Sequence, residues 1–158
     1  MNKPAIFAAI LARLTAELEQ TRQAALATHA EATDDENKSE DKYDTRGLEA
    51  SYLAMGQSKK AEEAAQSLAQ FQALTLRDFA AADPISLGAL VVLGGREGNC
   101  YFIGPRAGGT EISHEGRDVL VITPQSPLGR QLLGRHQGES LQLDLAGRLS
   151  EYRIELVA

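Results

Sequence analysis

Apolar residues recur every four positions at the start of the chain, and this spacing constrains the fold more than any other feature. The series runs through Ile6, Ile10, Leu14 and Leu18 and continues weakly at Ala25 and Ala32. Residues four apart lie on one face of an α-helix. Asn2 is a suitable cap for that helix, and Pro4 is tolerated in its first turn. The spacing therefore predicts a long amphipathic helix that begins near residue 3.

A second helical stripe follows after residue 45. It consists of Leu48, Tyr52, Met55, Leu68, Phe71 and either Leu74 or Thr75. A helix of about thirty residues is about 45 Å long, and it cannot bury its apolar stripe alone. We therefore expect the two helices to bury their stripes against each other, as an antiparallel coiled-coil hairpin with its tip near residues 34–44.

The pattern changes at Asp83-Pro84, because the residue before proline disfavours the α region. From there the runs "ALVVL", "CYFIG", "DVLVIT", "ESLQLDL" and "EYRIELV" indicate strands. In "SPLGRQLLGR", Ser126 can cap a short helix, Pro127 suits its first position and Gly134 can end it. The prediction is an α+β fold: a helical hairpin over residues 1–78, then a mostly antiparallel sheet domain with one short helix over residues 85–158.

Charge and composition exclude several classes of protein. The formal net charge is −6, which argues against free nucleic acid as the main partner, since phosphate binding needs a basic face. The single cysteine, Cys100, allows no internal disulfide. We read the N-terminus as a helix start rather than a targeting signal, and no apolar run is long enough to span a membrane. We expect a cytoplasmic protein with no membrane partner.

Common catalytic and metal-binding signatures are weak. Cys100 has no local signature of a nucleophile, so we interpret it as structural. The histidines, His29, His114 and His136, lie in different predicted elements without zinc-ligand spacing. The glycines of "GGREGN" and "PRAGG" are explained by turns, and Arg130 and Arg135 by a solvated surface.

The segment "DDENKSEDKYD", residues 34–44, stands apart. Six of its eleven residues are acidic, and it lies where the helical hairpin must turn. It does not match an EF-hand, because no glycine lies between Asp34 and Arg46. Carboxylates are the ligands that hard cations such as Mg²⁺ prefer. The segment is therefore either a solvated turn or a set of carboxylates that completes the shell of an ion held by another protein.

Both halves of the chain resemble the bacterial Gre transcript-cleavage factors. In the C-terminal half, "YFIGP" and "DVLVITPQSPLGRQLLGRHQGESLQLDLAGRLSEYRIELV" are similar to the Gre C-terminal domain, over about Leu87 to Val157. In the N-terminal half, the similar features are a helical hairpin with an acidic tip and a tyrosine, Tyr43, near the start of its second helix.

The resemblance implies an FKBP-like C-terminal domain that docks on the rim of the RNA polymerase secondary channel, while the hairpin enters the channel. Tip carboxylates would then help to hold a second Mg²⁺ that belongs to the polymerase, and the polymerase would cut its own backtracked RNA. The chain would have no cofactor or active site of its own and would meet nascent RNA only indirectly. The implied assisting carboxylates are Asp35, Glu36, Glu40 and Asp41. The implied polymerase-binding residues are Gln125, Ser126, Pro127 and Leu128.

The tip departs from the family's D-x-x-E-N-A-E-Y pattern, since the corresponding residues are "NKSEDKYD". No pair of acids can be assigned, and channel binding is better supported than cleavage. One alternative is therefore a channel binder without cleavage activity. Another is an FKBP-like peptide-binding or prolyl-isomerase module with a helical arm, which is weakened because only Tyr101, Phe102 and Tyr152 could line its pocket. A cysteine hydrolase built on Cys100 is less supported still.

Overall fold

The computed structural model describes residues 1–33, 45–95, 98–145 and 147–158. Its helices are α1 (Lys3–Thr33), α2 (Arg46–Gln72) and α3 (Pro127–Leu132). Its strands are β1 (Leu90–Leu93), β2 (Cys100–Ile103), β3 (Glu111–His114), β4 (Arg117–Ile122), β5 (Ser140–Leu145) and β6 (Arg148–Val157). The predicted α+β fold class is confirmed: two long helices precede a mostly antiparallel sheet with one short helix. None of the helices in the described ranges has the length and apolar character needed to cross a membrane.

The start of α1 follows the prediction. The Asn2 side-chain oxygen accepts a hydrogen bond from the backbone N–H of Ala5 at 3.1 Å, which satisfies one of the donors that a helix leaves unpaired at its first turn. The four-residue stripe is also confirmed, since its large members are all buried: Ile6, Ile10, Leu14 and Leu18.

The helices α1 and α2 run antiparallel. Phe7, near the start of α1, and Phe71, near the end of α2, have ring centroids 6.2 Å apart. Residues 34–45 connect the other ends of the two helices. The predicted hairpin therefore forms, although α2 ends at Gln72, well before the predicted boundary at Asp83-Pro84.

The apolar stripe predicted for the first half of α2 is wrong. Leu48, Tyr52 and Met55 are more than half exposed, whereas Ala54 is buried. Small side chains thus occupy the packed face of this part of α2. Interiors are close-packed, so the size of a buried side chain has to match the space beside it, and the largest apolar groups do not always fit.

The sheet has six strands in the order β3-β4-β2-β1-β6-β5. Neighbouring strands are antiparallel except β2 and β4, which pair in parallel with Cys100 opposite Val119. Every residue of β1 and β2 is buried. Strands covered on both faces have continuous apolar runs instead of alternating ones, which explains "LVVL" and "CYFI".

The strand β3 was not predicted. Only Ile112 of its four residues is buried, so its sequence lacks a strong apolar pattern. A two-residue turn, Glu115 and Gly116, joins β3 to β4, and both residues have positive φ, 52° and 76°. Two-residue loops with positive φ at both positions are typical of β-hairpins. The glycine of this turn, Gly116, was therefore the sequence signal that could have indicated a hairpin here.

The two faces of the central strands belong to different packed layers. On one face, Tyr101 packs in a cluster with Leu132 of α3 and Ile154 of β6. On the other face, the Phe102 ring lies 5.8 Å from the Phe7 ring and 6.2 Å from the Phe71 ring, measured between centroids. These separations lie in the range that aromatic pairs favour.

The chain divides into two compact units. One, which we call the sheet unit, comprises Met1–Leu11 and Gln70–Ala158, and the other, the helical unit, comprises Ala12–Ala69. The predicted domains, residues 1–78 and 85–158, are segments expected to fold independently of each other. That division stays a prediction.

Within the sheet unit, the chain between α2 and β1 is held to the start of α1 by Lys3. Its ammonium group donates to the Arg77 carbonyl at 2.7 Å and lies 4.6 Å from the centre of the Phe79 ring. The Arg77 guanidinium lies over the same ring at 3.8 Å. Burial lowers the pKa of Lys3, with Asp78 acting in the opposite direction.

Candidate functional site

The predicted polymerase-binding residues lie at the turn that enters α3. The Ser126 hydroxyl accepts a hydrogen bond from the Gly129 N–H at 3.0 Å and donates one to the Thr123 carbonyl at 2.8 Å. Pro127 occupies the first turn of α3. Ser126 therefore caps the helix as the sequence predicted, and its side chain is committed to the turn.

The turn has room for its backbone only because residue 129 is glycine. A Cβ atom at Gly129 would lie 1.9 Å from the Thr123 carbonyl oxygen, far inside van der Waals contact. The buried Gly129 thus lets the first turn of α3 pack onto the end of β4. This close approach fixes how Gln125 and Pro127 are presented at the surface.

The four predicted residues differ in exposure. Gln125 and Pro127 are exposed, whereas Ser126 and Leu128 are half-buried. Leu128 packs against the core cluster that contains Leu132. The groups available to a partner are therefore Gln125 and Pro127, while Ser126 and Leu128 hold the turn in place.

The predicted tip carboxylates, Asp35, Glu36, Glu40 and Asp41, lie outside the described residues, as does Tyr43. The first described residue after them is Thr45, whose hydroxyl donates to the Glu49 carboxylate at 3.2 Å. Glu49 lies in the first turn of α2, where the helix dipole favours an acidic side chain.

Cys100 is buried in β2 and is not disulfide-bonded. Burial raises the pKa of its thiol to about 11, and the nearby Arg117 only partly opposes that rise. Since the thiolate is the reactive form, this environment disfavours nucleophilic chemistry at neutral pH and supports the structural interpretation.

His136 belongs to a small polar cluster after α3. Its Nδ1 atom lies 2.9 Å from a Glu139 carboxylate oxygen, and the Arg135 guanidinium donates to the other oxygen at 3.3 Å. The hydrogen bond with His136 is the largest of the effects that lower the pKa of Glu139. The three side chains close the turn that leads to β5. Across the described ranges, no group of three His, Cys, Asp or Glu residues could hold a metal ion.

An open groove of about 600 Å³ lies at one end of the sheet, where β1 ends and β2 and β4 begin. Its lining combines polar side chains, such as Asn99, Arg117 and Glu155, with apolar ones, such as Val92, Val119 and Leu120. Of the three aromatic residues of the C-terminal half, Tyr101 contributes to this lining, whereas Phe102 and Tyr152 do not. Tyr101 and Phe102 are buried on opposite faces of the sheet, and Tyr152 packs against the core cluster. Because Phe102 lies on the opposite face of the sheet from Tyr101, these three rings do not line one common pocket in the described part of the chain.

The solved structures that the chain resembles include transcription factors. Gfh1, the GreA factor homolog 1 of Thermus thermophilus, is 21% identical, with 94% of each chain covered and a TM-score of 0.40. Thermus aquaticus Gfh1 is 26% identical, with 92% of this chain and 91% of that chain covered and a TM-score of 0.40.

The transcription elongation factor GreA/GreB from Nitrosomonas europaea is 18% identical over 70% of this chain and 91% of that chain, with a TM-score of 0.36. No family model matches the chain, and the search of curated proteins found no match.

Proposed function

We propose that the protein is an accessory factor of bacterial RNA polymerase that binds in the secondary channel and stimulates cleavage of backtracked RNA. The observation that carries this proposal is the acidic connection between two long antiparallel helices. The connection contains Asp35, Glu36, Glu40 and Asp41, and the helices on either side of it end at Thr33 and begin at Arg46. Such a hairpin can deliver carboxylates into a narrow channel.

The chemistry assigned to the protein is assistance to another enzyme. Phosphoryl chemistry at a polymerase centre depends on Mg²⁺, and carboxylate oxygens are ligands that this ion prefers. The tip acids would complete the shell of an ion that belongs to the polymerase, so the protein needs no cofactor and is not itself an enzyme. Nascent RNA would be met only through the polymerase, in the cytoplasm.

Docking is assigned to the turn at residues 125–128 of the sheet unit. Gln125 and Pro127 are exposed there, and the capped start of α3 holds them in a defined position. Preorganised contact groups lose little conformational freedom on binding. This property supports the assignment of Gln125 and Pro127 as contact residues.

A second candidate is a channel binder that does not stimulate cleavage. It is favoured by the tip sequence "NKSEDKYD", which lacks the family's usual placement of acids. In this case the hairpin would block or regulate the channel, and the four acids would matter only for solubility.

The decisive assay is a defined backtracked elongation complex incubated with Mg²⁺ and the protein. The test variant replaces Asp35, Glu36, Glu40 and Asp41 by Ala. The matched control replaces four exposed acids on the helices, Glu17, Glu19, Glu62 and Glu63, so that both variants lose the same charge.

We expect the tip variant to lose stimulation of cleavage and to keep polymerase binding, while the helix variant keeps both. A wild-type protein that binds polymerase without stimulating cleavage would favour the second candidate. A wild-type protein that does not bind polymerase would contradict both.

The docking assignment is tested by replacing Gln125 and Pro127 together by Ala. Both side chains are exposed, so the fold should persist, and binding should weaken. Leu128→Asp is a poorer test because Leu128 packs against the core. The control replaces Gln142 and Glu151, an exposed cross-strand pair on β5 and β6, and should bind like the wild type.

A further inference from the structure

Large apolar side chains form an exposed stripe on the first half of α2. Leu48 is 55% exposed, Tyr52 64% and Met55 65%. Their spacing, four residues and then three, places them on one face of the helix. We call these three residues the outer stripe. Single exposed apolar residues are ordinary on protein surfaces, but a contiguous patch of them commonly marks an interaction site.

The packed face of α2 does not include the outer stripe. Ala54 is buried, and Gly47, Ala50 and Ala61 are half-buried. At about 100° per residue, Tyr52 lies about 160° around the helix from Ala54. Small residues therefore supply the internal packing of this segment, and the outer stripe contributes little to it.

We propose that the outer stripe docks into a short apolar groove on the polymerase, so that α2 is held there as a helix in a groove. This inference rests on the proposed function, because it names how the same partner grips the hairpin. Helices that bind in grooves present apolar anchors with spacings of three, four and seven residues. Leu48, Tyr52 and Met55 have that spacing.

The area of the stripe argues against a second copy of this chain as the occupant. With exposures near 0.6 and about 200 Å² for each large side chain, the stripe presents about 350 Å². A stable protein pair buries about 800 Å² on each partner. A flat meeting of two identical helix faces would fall short of that area, whereas a groove can wrap around the anchors and work together with contacts elsewhere on the partner.

The length of the stripe leads to the same conclusion. A dimeric coiled coil needs an apolar seam over at least three or four heptads. Lys59 occupies the position that would continue the stripe after Met55. The next residues on the same face of the helix are Glu62 and Glu63, and all three charged residues are exposed. The stripe is thus limited to about two turns of helix, which suits a short groove.

The residue types indicate the chemistry of the groove. Met55 is flexible and polarisable, so it adapts to an irregular apolar surface. Tyr52 combines a large apolar ring with a hydroxyl that needs a polar partner when it is buried. The groove should therefore be apolar, with a hydrogen-bonding group near the site of Tyr52.

The test compares three full-length variants with the wild type for binding to bacterial RNA polymerase core enzyme. The stripe variant carries Leu48→Gln, Tyr52→Gln and Met55→Gln. The control variant carries Leu26→Gln, Leu53→Gln and Leu149→Gln, which are also exposed apolar positions. The conservative variant carries Leu48→Met and Met55→Leu and keeps Tyr52. Helix content and thermal unfolding are measured for all of them, together with sedimentation of the free proteins.

We expect the stripe variant to bind at least about tenfold more weakly, while the control variant binds like the wild type and the conservative variant stays close to it. Helix content should be unchanged in all three. Equal binding by the stripe variant and the wild type would overturn the groove and leave the proposed function standing. A wild-type dimer that the stripe variant cannot form would overturn it in favour of a second copy. Failure of the wild type to bind polymerase would remove the proposed function and this inference together.

Discussion

The sheet unit and the helical unit bury different kinds of residue. In the sheet unit, large side chains such as Phe71, Phe102 and Ile154 are wholly buried. In the helical unit, the buried or half-buried residues of α2 are mostly alanine, and Tyr52 and Met55 are exposed. The large apolar residues named in the sheet unit thus stabilise its fold, whereas the helical unit has large apolar residues of α2 exposed at its surface.

This difference separates the two roles that an apolar residue can have. Burial of a large side chain contributes roughly 1.5–3 kcal/mol to folding, so sheet-unit substitutions should change stability first. An exposed apolar residue contributes little to folding, so outer-stripe substitutions should change binding first. The following predictions test that separation.

The largest contrast is expected between two aromatic residues. Phe102→Ala removes a wholly buried ring that contacts Phe7 and Phe71, and it should lower the free energy of unfolding by about 3–5 kcal/mol. Tyr52→Ala should change it by less than about 0.5 kcal/mol. Urea denaturation of both variants measures this. A large loss of unfolding free energy in Tyr52→Ala would mean that the Tyr52 ring is packed in the folded protein, and it would contradict the separation between the two units.

The second prediction concerns the buried thiol of the sheet unit. Burial raises the pKa of Cys100 from 9.0 to about 11. Between these pH values the unfolded chain has released the proton and the folded chain still holds it, so stability falls as pH rises. The fall should amount to about 2 kcal/mol between pH 9 and 11.

Cys100→Ala should remove that part of the pH dependence. Urea denaturation of the wild type and of Cys100→Ala, under reducing conditions at pH 8 and at pH 10.5, isolates the contribution of Cys100. Lys3 and Tyr101 titrate in both proteins, so their contributions cancel in the difference. The same pH dependence in the variant would show that Cys100 is solvated in the folded protein.

A pair of glycine substitutions should have opposite signs in the two units. A Cβ atom at Gly56 in α2 would meet nothing within 4 Å, so Gly56→Ala should stabilise the helix by about 1 kcal/mol. Gly129→Ala should destabilise α3 because its Cβ atom would collide with the Thr123 carbonyl. Hydrogen exchange of the α2 and α3 amides reports each effect locally. Destabilisation by Gly56→Ala would indicate that another chain segment packs there.

The smallest effect is expected at the turn between β3 and β4. Glu115 has a φ of 52°, a region that Asn tolerates better than Glu. Glu115→Asn should therefore raise the free energy of unfolding by about 0.5 kcal/mol. Glu115→Gln, which removes the charge but not the strain, serves as the control and should have no effect. A gain from Gln equal to that from Asn would assign the effect to charge.

Much of the fold could be predicted because its signals are local. The Asn2 cap, the Ser126 cap and the stripe from Ile6 to Leu18 depend on residues within one or two turns of each other. The strand β3 was missed because a short strand with one buried residue has almost no periodic signal of its own. The parallel pairing of β2 with β4 could not be predicted either. In the chain β3 lies between these two strands, but in the sheet it pairs with the other edge of β4.

The candidate site could be predicted only in part. The family resemblance implied a docking site at residues 125–128, which stays a prediction, and it did not distinguish the exposed Gln125 and Pro127 from the half-buried Leu128. The sequence also placed Leu48 and Tyr52 in the seam between the helices. A period of 3.6 residues shows which residues share a face, but it does not show which face is turned inward, because that depends on the volume that the rest of the unit can accept.

The sequence by itself determined the helices, their caps, the break in pattern at Asp83-Pro84 and the acidic connection. These features depend on backbone restrictions and on contacts between near neighbours. Only the tertiary structure decided that β1 and β2 are covered on both faces and that alanine, not Tyr52 or Met55, packs within the helical unit. Those outcomes depend on residues far apart in the chain, whose volumes have to fit together before any of them is buried.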